Sequence, residues 1–156
     1  QIMVSGMLLN NQLTDFSFVP AVDGVPVANR VQGGKRPRSS MAPLLVFERD
    51  SGRFVMALGS PGGPAIINHV AKTLIATLDW QLDLQQAIAL PNFGSRNGPT
   101  ELEAGRSSAA LAQALRERGH DLRVMPLTSG AQGIARHGER WFGAADPRRE
   151  GSAAGD

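Results

Sequence analysis

A glycine-rich turn between an apolar strand and an amphipathic helix constrains the fold of this chain more than any other feature. The apolar run at residues 54–58 has the length of a strand, and Gly59-Ser60-Pro61-Gly62-Gly63 follows it directly. Apolar residues then recur at steps of three and four from Ile67 to Leu78, which predicts a helix. Pro64 falls where the first turn of a helix tolerates proline. We therefore expect a strand–turn–helix unit with two adjacent glycines at the bend.

This turn has the composition of an anion-binding device. Adjacent glycines let backbone N–H groups approach a ligand closely, and the N-terminus of a helix adds a partial positive charge. Such a turn suits a bound phosphate, or the oxyanion that develops during acyl transfer. Glycine-rich turns without any ligand are equally compatible with these five residues alone. A Walker-type phosphate loop would require Lys and Ser or Thr after the glycines, and Pro64-Ala65-Ile66 supplies neither.

The rest of the chain predicts short strands and helices. Residues 3–9 are expected to form a short buried strand, residues 20–37 an extended surface loop, and residues 44–47 and 54–58 a β-hairpin. Further short strands are predicted at residues 122–125, 133–136 and 141–144. Two more helices are predicted, one capped by Asp83 and ending before Pro91, the other running from Ser107 to about Arg118 with Gly119 as its C-terminal stop.

The apolar spacing also predicts which helix faces are buried. On the first helix the inward positions are Ile67, Val70, Ala71, Leu74, Ile75 and Leu78, and the outer positions are Asn68, His69, Lys72, Thr73 and Asp79. On the last helix the inward positions are Ala110, Leu111, Ala114 and Leu115.

Composition excludes several classes of function. The absence of cysteine excludes disulfides, thiolate metal sites and a cysteine nucleophile. The three histidines share no metal-ligand spacing and are expected on the solvated surface, so no metal or cofactor is predicted. A net charge of +2 and few aromatic residues argue against nucleic-acid binding. No apolar run approaches the roughly 20 residues that span a bilayer. Glu101 and Glu103 are expected in a loop, with no reason to form an acid/base pair.

Two further polar segments carry candidate binding residues. Ser39 and Ser40 enter a predicted strand and can offer hydroxyl and backbone donors to a carboxylate, although serine pairs more often serve as caps or turns. Gln12 and Asp15 supply acceptors that can grip an ammonium group, although this stretch by itself is compatible with a solvated turn.

Four segments in this order resemble the small subunit of the γ-glutamyltranspeptidases. They lie at residues 8–17 (LLNNQLTDFS), 34–43 (GKRPRSSMAP), 59–63 (GSPGG, with Ile66-Ile67 after it) and 143–149 (GAADPRR). The resemblance implies an α+β fold, the four-layer αββα sandwich of the N-terminal-nucleophile hydrolases. This chain would supply only part of it, with residues 1–156 as the C-terminal portion of a single, incomplete catalytic domain.

The resemblance also implies an activity and roles. Members of the family are precursors that cleave themselves and expose a threonine, which attacks γ-glutamyl amides such as glutathione and passes the acyl group to water, amino acids or peptides. By resemblance, Gln12 and Asp15 hold the donor's α-amino group, Ser39 and Ser40 its α-carboxylate, and the amides of Gly62 and Gly63 form the oxyanion hole. The implied partner is the large subunit of the same precursor, and the implied compartment is periplasmic or extracellular.

Three departures from the family pattern bear on these expectations. The chain starts at Gln1, downstream of the threonine segment, and glutamine is neither a nucleophile nor an amine base. Residues 1–156 alone are therefore expected to be inactive. Pro64-Ala65 and Ala42 stand where the family often has Ser-Arg and Thr. Two alternatives stay open: a related acylase with a different acyl donor, and a non-enzymatic anion-binding or assembly module whose glycine turn holds a phosphate.

Overall fold

The computed structural model of the protein describes residues 2–155. These residues divide into two compact units, one ending at Ser39 and the other beginning at Ser40. The prediction that residues 1–156 are one incomplete domain of a larger catalytic domain stays a prediction.

The first unit contains two small antiparallel hairpins and a 3₁₀ helix at Gln12–Asp15. Strands β1 and β2 pair with each other, as do β3 and β4. The four strands are β1 (Met3–Val4), β2 (Met7–Leu8), β3 (Ala21–Val22) and β4 (Val25–Pro26).

The buried strand predicted for residues 3–9 is wrong. The chain reverses at Ser5 and Gly6, which have φ angles of 51° and 78°. Two successive residues with positive φ make the kind of two-residue turn that matches the twist of a hairpin. The strands on either side of this turn are exposed.

The second unit contains seven strands and three helices. They are β5 (Leu44–Phe47), β6 (Phe54–Gly59), α1 (Ile66–Leu78), α2 (Leu84–Ala89), β7 (Phe93–Gly94), β8 (Thr100–Glu103), α3 (Ala109–Glu117), β9 (Leu122–Met125), β10 (Gln132–His137) and β11 (Arg140–Ala145). The predicted β5–β6 hairpin and the strands β9, β10 and β11 are confirmed, and so are the caps Asp83 and Gly119. Among the described residues no helix is both long enough and apolar enough to cross a membrane.

A four-stranded antiparallel sheet organises the core of the second unit. Its strand order is β11-β10-β6-β5. On one face, Met56 and Leu58 of β6 pack with Ile66 and Val70 of α1 and with Ile88 of α2. The other face is open and lines a groove of about 780 Å³, with the chain segment 152–154 along it.

The next three strands after α2 in the chain form a second sheet. Strand β8 pairs antiparallel with β7 and parallel with β9, and α3 is the connection between β8 and β9. Glu101 and Glu103 therefore belong to a strand, and the prediction that they lie in a loop is wrong. Glu103 is buried in that strand because it finds ionic and hydrogen-bonding partners there.

Helix α1 buries a different face from the one its apolar spacing predicts. Val70 is buried as expected, but Ile67 and Ile75 are 56% and 44% exposed. The polar residues Lys72 and Thr73 are buried instead, at 6% and 0% exposure. Amphipathic spacing assumes that polar side chains face water, and that assumption fails where polar side chains are hydrogen-bonded inside the protein.

The exposed apolar side of α1 borders a groove. Ala71 and Ile75 line a largely apolar groove of about 570 Å³ together with Phe93, Leu111 and Leu115. The inward face predicted for α3 is wrong at Leu111, which is 46% exposed, while Ala112 is buried. Part of each apolar stripe predicted from the sequence thus lines this groove, which the described part of the chain leaves open.

Candidate active site

The glycine turn is built as its sequence predicts. Strand β6 ends at Gly59, a short 3₁₀ turn covers Gly63–Ala65, and α1 begins at Ile66. Gly62 and Gly63 have φ angles of 143° and 55°, a region that favours glycine because it has no Cβ. The Ala65 amide donates a hydrogen bond to the Gly62 carbonyl at 3.2 Å. The bend between strand and helix therefore depends on both glycines.

The two glycines differ in what surrounds them. A Cβ added at Gly63 would meet nothing within 4 Å, and Gly63 is exposed. A Cβ added at Gly62 would lie 3.0 Å from Cδ2 and 3.1 Å from Nε2 of His69. Gly63 thus faces open space, where a ligand can approach the backbone, and Gly62 backs onto a buried side chain.

The loop between β9 and β10 holds the turn from the side. The Gly130 amide donates to Ser60 Oγ at 3.3 Å. A Cβ added at Gly130 would lie 2.6 Å from Arg149 Cδ and 2.7 Å from Pro61 Cγ. Position 130 therefore requires glycine, because the side chains of Arg149 and Pro61 leave no room for a Cβ. Sequence analysis did not single out this residue.

Ser40 lies at the same end of the β5–β6 pair as the glycine turn. Strands β5 and β6 are antiparallel, and Leu44 pairs with Leu58. Ser40 precedes Leu44 by four residues and Gly62 follows Leu58 by four, so both leave the sheet at this end. The second unit thereby brings two of the predicted site segments to one side of the sheet.

In the first unit, Asn29 connects two of the predicted segments. Gln12 and Asp15 are exposed at opposite ends of one 3₁₀ helix. Asn29 Nδ2 donates to the Asp15 carbonyl at 2.7 Å, and its Oδ1 accepts from the Arg38 amide at 2.9 Å. Asn29 therefore ties the helix to the residue just before Ser39. The roles assigned to these residues in binding a donor stay predictions.

A buried ionic cluster lies behind the turn, and sequence analysis missed it. Arg148 Nε donates to Glu103 Oε1 at 2.6 Å, and its NH1 donates to Asp146 Oδ1 at 3.0 Å. The three side chains are only 5%, 7% and 1% exposed. Asp146 also accepts hydrogen bonds from Ser129 Oγ and, at 3.1 Å, from the Ala131 amide. The cluster thereby fixes the β9–β10 loop, which also contacts the glycine turn.

Two more polar side chains extend this cluster to α1. Lys72 Nζ donates to the carbonyls of Ile88 and Leu90 and to Asn92 Oδ1, at 3.1, 2.8 and 3.1 Å. The Asn92 amide donates to Glu103 Oε2 at 2.7 Å. The resemblance at residues 143–149 was the one signal that included members of this cluster, Asp146 and Arg148. For Lys72, Asn92 and Glu103 the sequence carries no signal.

The solvated surface predicted for His69 is wrong. This side chain is 4% exposed, and its Nδ1 has no hydrogen-bond partner among the described residues. His120 is exposed, with Nδ1 3.1 Å from Thr100 Oγ1, and His137 is exposed as predicted. Within residues 2–155 no three His, Asp or Glu side chains are grouped so as to hold a metal ion.

The comparison with known proteins decides the family. A family model described as gamma-glutamyltranspeptidase matches residues 1–156, the full length of the chain. The chain belongs to the γ-glutamyltranspeptidase family.

Individual members of the family show the same similarity. The glutathione hydrolase proenzyme of Bacillus subtilis (strain 168) is 34% identical over 154 residues, covering 96% of this chain and 25% of the relative. That of Escherichia coli (strain K12) is 37% identical over 153 residues, covering 92% of this chain and 26% of the relative. The chain thus spans about a quarter of the length of these curated relatives.

Solved structures establish the fold class. The γ-glutamyltranspeptidase from Pseudomonas nitroreducens complexed with L-DON is 28% identical and superimposes with a TM-score of 0.82, covering 99% of this chain and 84% of that chain. The predicted αββα class of the N-terminal-nucleophile hydrolases is confirmed. In this member of the family, the four-stranded sheet with α1 and α2 on one face supplies part of that sandwich.

Burial and hydrogen bonding shift the titration of the cluster in this γ-glutamyltranspeptidase chain. Burial, with the nearby Arg148 charge, lowers the pKa of Lys72 to about 8. Burial alone would raise the pKa values of Glu103 and Asp146. Hydrogen bonds outweigh it, chiefly from Arg148 to Glu103 and from Ser129 to Asp146, and hold both pKa values below their ordinary 4.5 and 3.8. Both carboxylates are therefore ionised at neutral pH.

Acid is expected to destabilise the fold in two steps. Burial, and then the Lys72 charge, lowers the pKa of His69 below its ordinary 6.5. The unfolded chain then binds a proton that the folded chain does not, so stability falls as pH drops below 6.5. The lowered pKa values of Glu103 and Asp146 add a second loss as pH falls through and below 4.5.

The melting temperature of the full-length protein between pH 7.5 and pH 2.5 measures both steps. Replacing His69 with alanine should remove the first step and leave the second. If the melting temperatures of the wild type and the variant fall in parallel from pH 7 to pH 5, the assignment of the first step to His69 is wrong.

Proposed function

We propose that the protein containing this chain cleaves γ-glutamyl amides such as glutathione through an acyl-enzyme and passes the γ-glutamyl group to water, amino acids or peptides. The glutathione hydrolase proenzymes among its relatives support this activity. The nucleophile is then a threonine outside residues 1–156, and the partner is a large subunit of the same precursor. Residues 1–156 supply groups that bind the donor and stabilise the transition state.

The geometry of the glycine turn carries the proposal. A carbonyl that becomes tetrahedral during acyl transfer develops negative charge on its oxygen, and backbone amides stabilise that charge when a ligand can reach them. Gly63 is exposed and a Cβ there would meet nothing within 4 Å. The turn also lies directly before α1, whose N-terminus carries a partial positive charge. These features match an oxyanion hole formed by the amides of Gly62 and Gly63.

Donor binding is proposed to divide between a carboxylate and hydroxyl groups. Asp15, with Gln12, offers acceptors for the donor's α-ammonium group, and Asp15 is exposed at the end of its short helix. Ser39 and Ser40 offer hydroxyl donors for its α-carboxylate. Asp15 and the ammonium group both carry charge, whereas a serine hydroxyl that binds the carboxylate is neutral, so Asp15 is expected to contribute most to KM.

Replacing Asp15 with asparagine should raise KM for a γ-glutamyl donor, since a hydrogen bond to an ammonium group loses about 1.5–3 kcal/mol when its charged partner is removed. Ser40→Ala should act in the same direction with a smaller effect. Steady-state kinetics of the full-length protein measure both. Asp23→Asn is a matched control in the same unit, on the exposed β3–β4 turn. Wild-type kcat/KM in both Asp15→Asn and Ser40→Ala would show that neither residue grips the donor.

An assay with γ-glutamyl-p-nitroanilide tests the activity itself. The full-length protein should release p-nitroaniline, and added glycylglycine should accelerate release by acting as acceptor. A purified polypeptide of residues 1–156 should show no turnover, because none of its residues takes the role of the N-terminal threonine. If the full-length protein forms no acyl-enzyme with any γ-glutamyl donor, the alternatives are a different acyl donor or a phosphate-binding turn. Phosphate binding to the glycine turn without acylation would support the latter.

A further inference from the structure

His69 occupies the space behind the glycine turn. It lies on the first turn of α1, and its ring faces Gly62 through Cδ2 and Nε2, 3.0 and 3.1 Å from where a Cβ on that glycine would lie. Contacts this short are tighter than side chains normally make. The ring therefore fills the volume in which any side chain at position 62 would have to sit.

The ring is held by packing rather than by hydrogen bonds. Nδ1 has no partner among the described residues, although the side chain is 4% exposed. In addition to the backbone hydrogen bonds of the helix, the main-chain carbonyl of His69 accepts a hydrogen bond from Thr73 Oγ1 at 3.0 Å. A buried ring whose Nδ1 has no described partner acts on its neighbours chiefly through its shape. The neighbour it shapes most directly is Gly62.

Without the ring, Gly62 would have room to move. Glycine has the largest conformational freedom of any residue, so its backbone angle depends on what surrounds it. Gly62, Pro64, Ala65 and His69 line a common cavity of about 200 Å³, so the space beside the turn is already only partly filled. Removing the imidazole would enlarge this cavity directly beside Gly62.

We propose that His69 is a positioning residue for the Gly62-Gly63 turn, and that its ring sets the Gly62 backbone so that the amides of the turn stay aligned with the oxyanion. This inference rests on the proposed function, because the alignment matters only if those amides stabilise a transition state. His69 does not need to contact the substrate. Its effect should appear in the step in which the oxyanion forms.

The kinetics of His69→Ala in the full-length protein give the first test. A misaligned oxyanion hole loses transition-state stabilisation and leaves ground-state binding unchanged. We expect kcat to fall by about 10- to 100-fold, less than the 10²–10³-fold typical of a lost donor, and KM for γ-glutamyl-p-nitroanilide to stay within about twofold. His69→Leu, which refills most of the volume with a different shape, should also lower kcat and guards against a fold that does not tolerate alanine.

A double-mutant cycle between positions 62 and 69 gives the second test. Gly62→Ala places a methyl group against the ring in the wild type, but not in the His69→Ala background. Its effect on the melting temperature should therefore be smaller in that background by about 2–4 °C or more. Gly63→Ala is the matched control, because its methyl group meets nothing within 4 Å. Its effect should be the same in both backgrounds.

The outcomes separate this inference from the proposed function. If Gly63→Ala lowers kcat but His69→Ala and His69→Leu leave it unchanged, the positioning role is overturned and the proposed function stands. A His69 variant in which KM rises as much as kcat falls, or a cycle without coupling at position 62, also overturns it. If neither glycine variant lowers kcat in a folded protein, the oxyanion role fails and the inference fails with it.

Discussion

Replacing Arg148 with methionine is expected to destabilise the folded protein by about 3–5 kcal/mol, enough to prevent folding of a marginally stable domain. The guanidinium binds both oxygens of Glu103 at 2.6 and 2.7 Å and Asp146 at 3.0 Å. It also donates to the carbonyls of Ile88 and Leu90 at 3.2 and 2.9 Å. Methionine fills similar volume but leaves two ionised carboxylates buried without their shared cation. The desolvation penalty of those charges is what dominates the loss.

Soluble yield and melting temperature of the full-length protein measure this effect. Arg53→Met is the matched control, since Arg53 also pairs with a glutamate, Glu48, at 2.5 Å but in an exposed position. Solvent and salt screen such a pair, so no measurable change is expected. The double variant Arg148→Met with Glu103→Gln should recover part of the lost stability, because one buried, unpaired charge is removed. A melting temperature of Arg148→Met equal to that of the wild type would refute the account of the cluster.

Replacing Gly63 with alanine should lower kcat by about 10²–10³-fold with a much smaller change in KM, because an oxyanion hole acts mainly in the transition state. The added methyl group would meet no atom of the described chain within 4 Å. It would instead project into the open space that the donor's carbonyl is proposed to enter. The φ angle of 55° also strains any residue with a Cβ, at a cost of roughly 1–2 kcal/mol. The variant is thus expected to fold and to fail in catalysis.

Gly52→Ala separates the two effects of the Gly63 variant. Gly52 lies in the exposed β5–β6 turn with a φ angle of 65°, and a Cβ there would also meet nothing within 4 Å. It carries the same backbone strain without any proposed role in binding or catalysis. Gly52→Ala should therefore lower the melting temperature about as much as Gly63→Ala and leave kcat unchanged. Equal kcat in wild type and a folded Gly63→Ala variant would return the turn to a purely structural role.

Most local elements of the second unit could be predicted from the sequence. The β5–β6 hairpin, the glycine bend and the start of α1 follow from spacing, turn residues and proline position, all of which act within a few residues. The end of α3 just before Gly119, whose φ angle is 85°, follows in the same way. The hairpin at Ser5-Gly6 has an equally local turn signal, but the apolar residues on both sides of it favour a single strand instead.

The buried faces could not be predicted, because they depend on partners distant in the chain. Lys72 is buried through groups 16 to 20 residues away, and Glu103 through Arg148, 45 residues away. A periodic pattern depends only on the polarity of each side chain and contains no information on such distant partners. His69 is different, because it is buried although its Nδ1 has no described partner: it lies on the same side of α1 as Lys72 and Thr73, which turn inward.

The sequence by itself determined the family, the order of the site segments and the glycine bend, because these are written in residues adjacent along the chain. Only the tertiary structure decided that α1 buries the polar residues Lys72 and Thr73, that an ionic cluster holds the loop beside the turn, and that the His69 ring packs against Gly62. The physical reason is the cost of burying charge: Glu103, Asp146 and Arg148 can be internal only together. Their meeting requires β8, the end of β11 and α2 to be assembled, and no local pattern contains that arrangement.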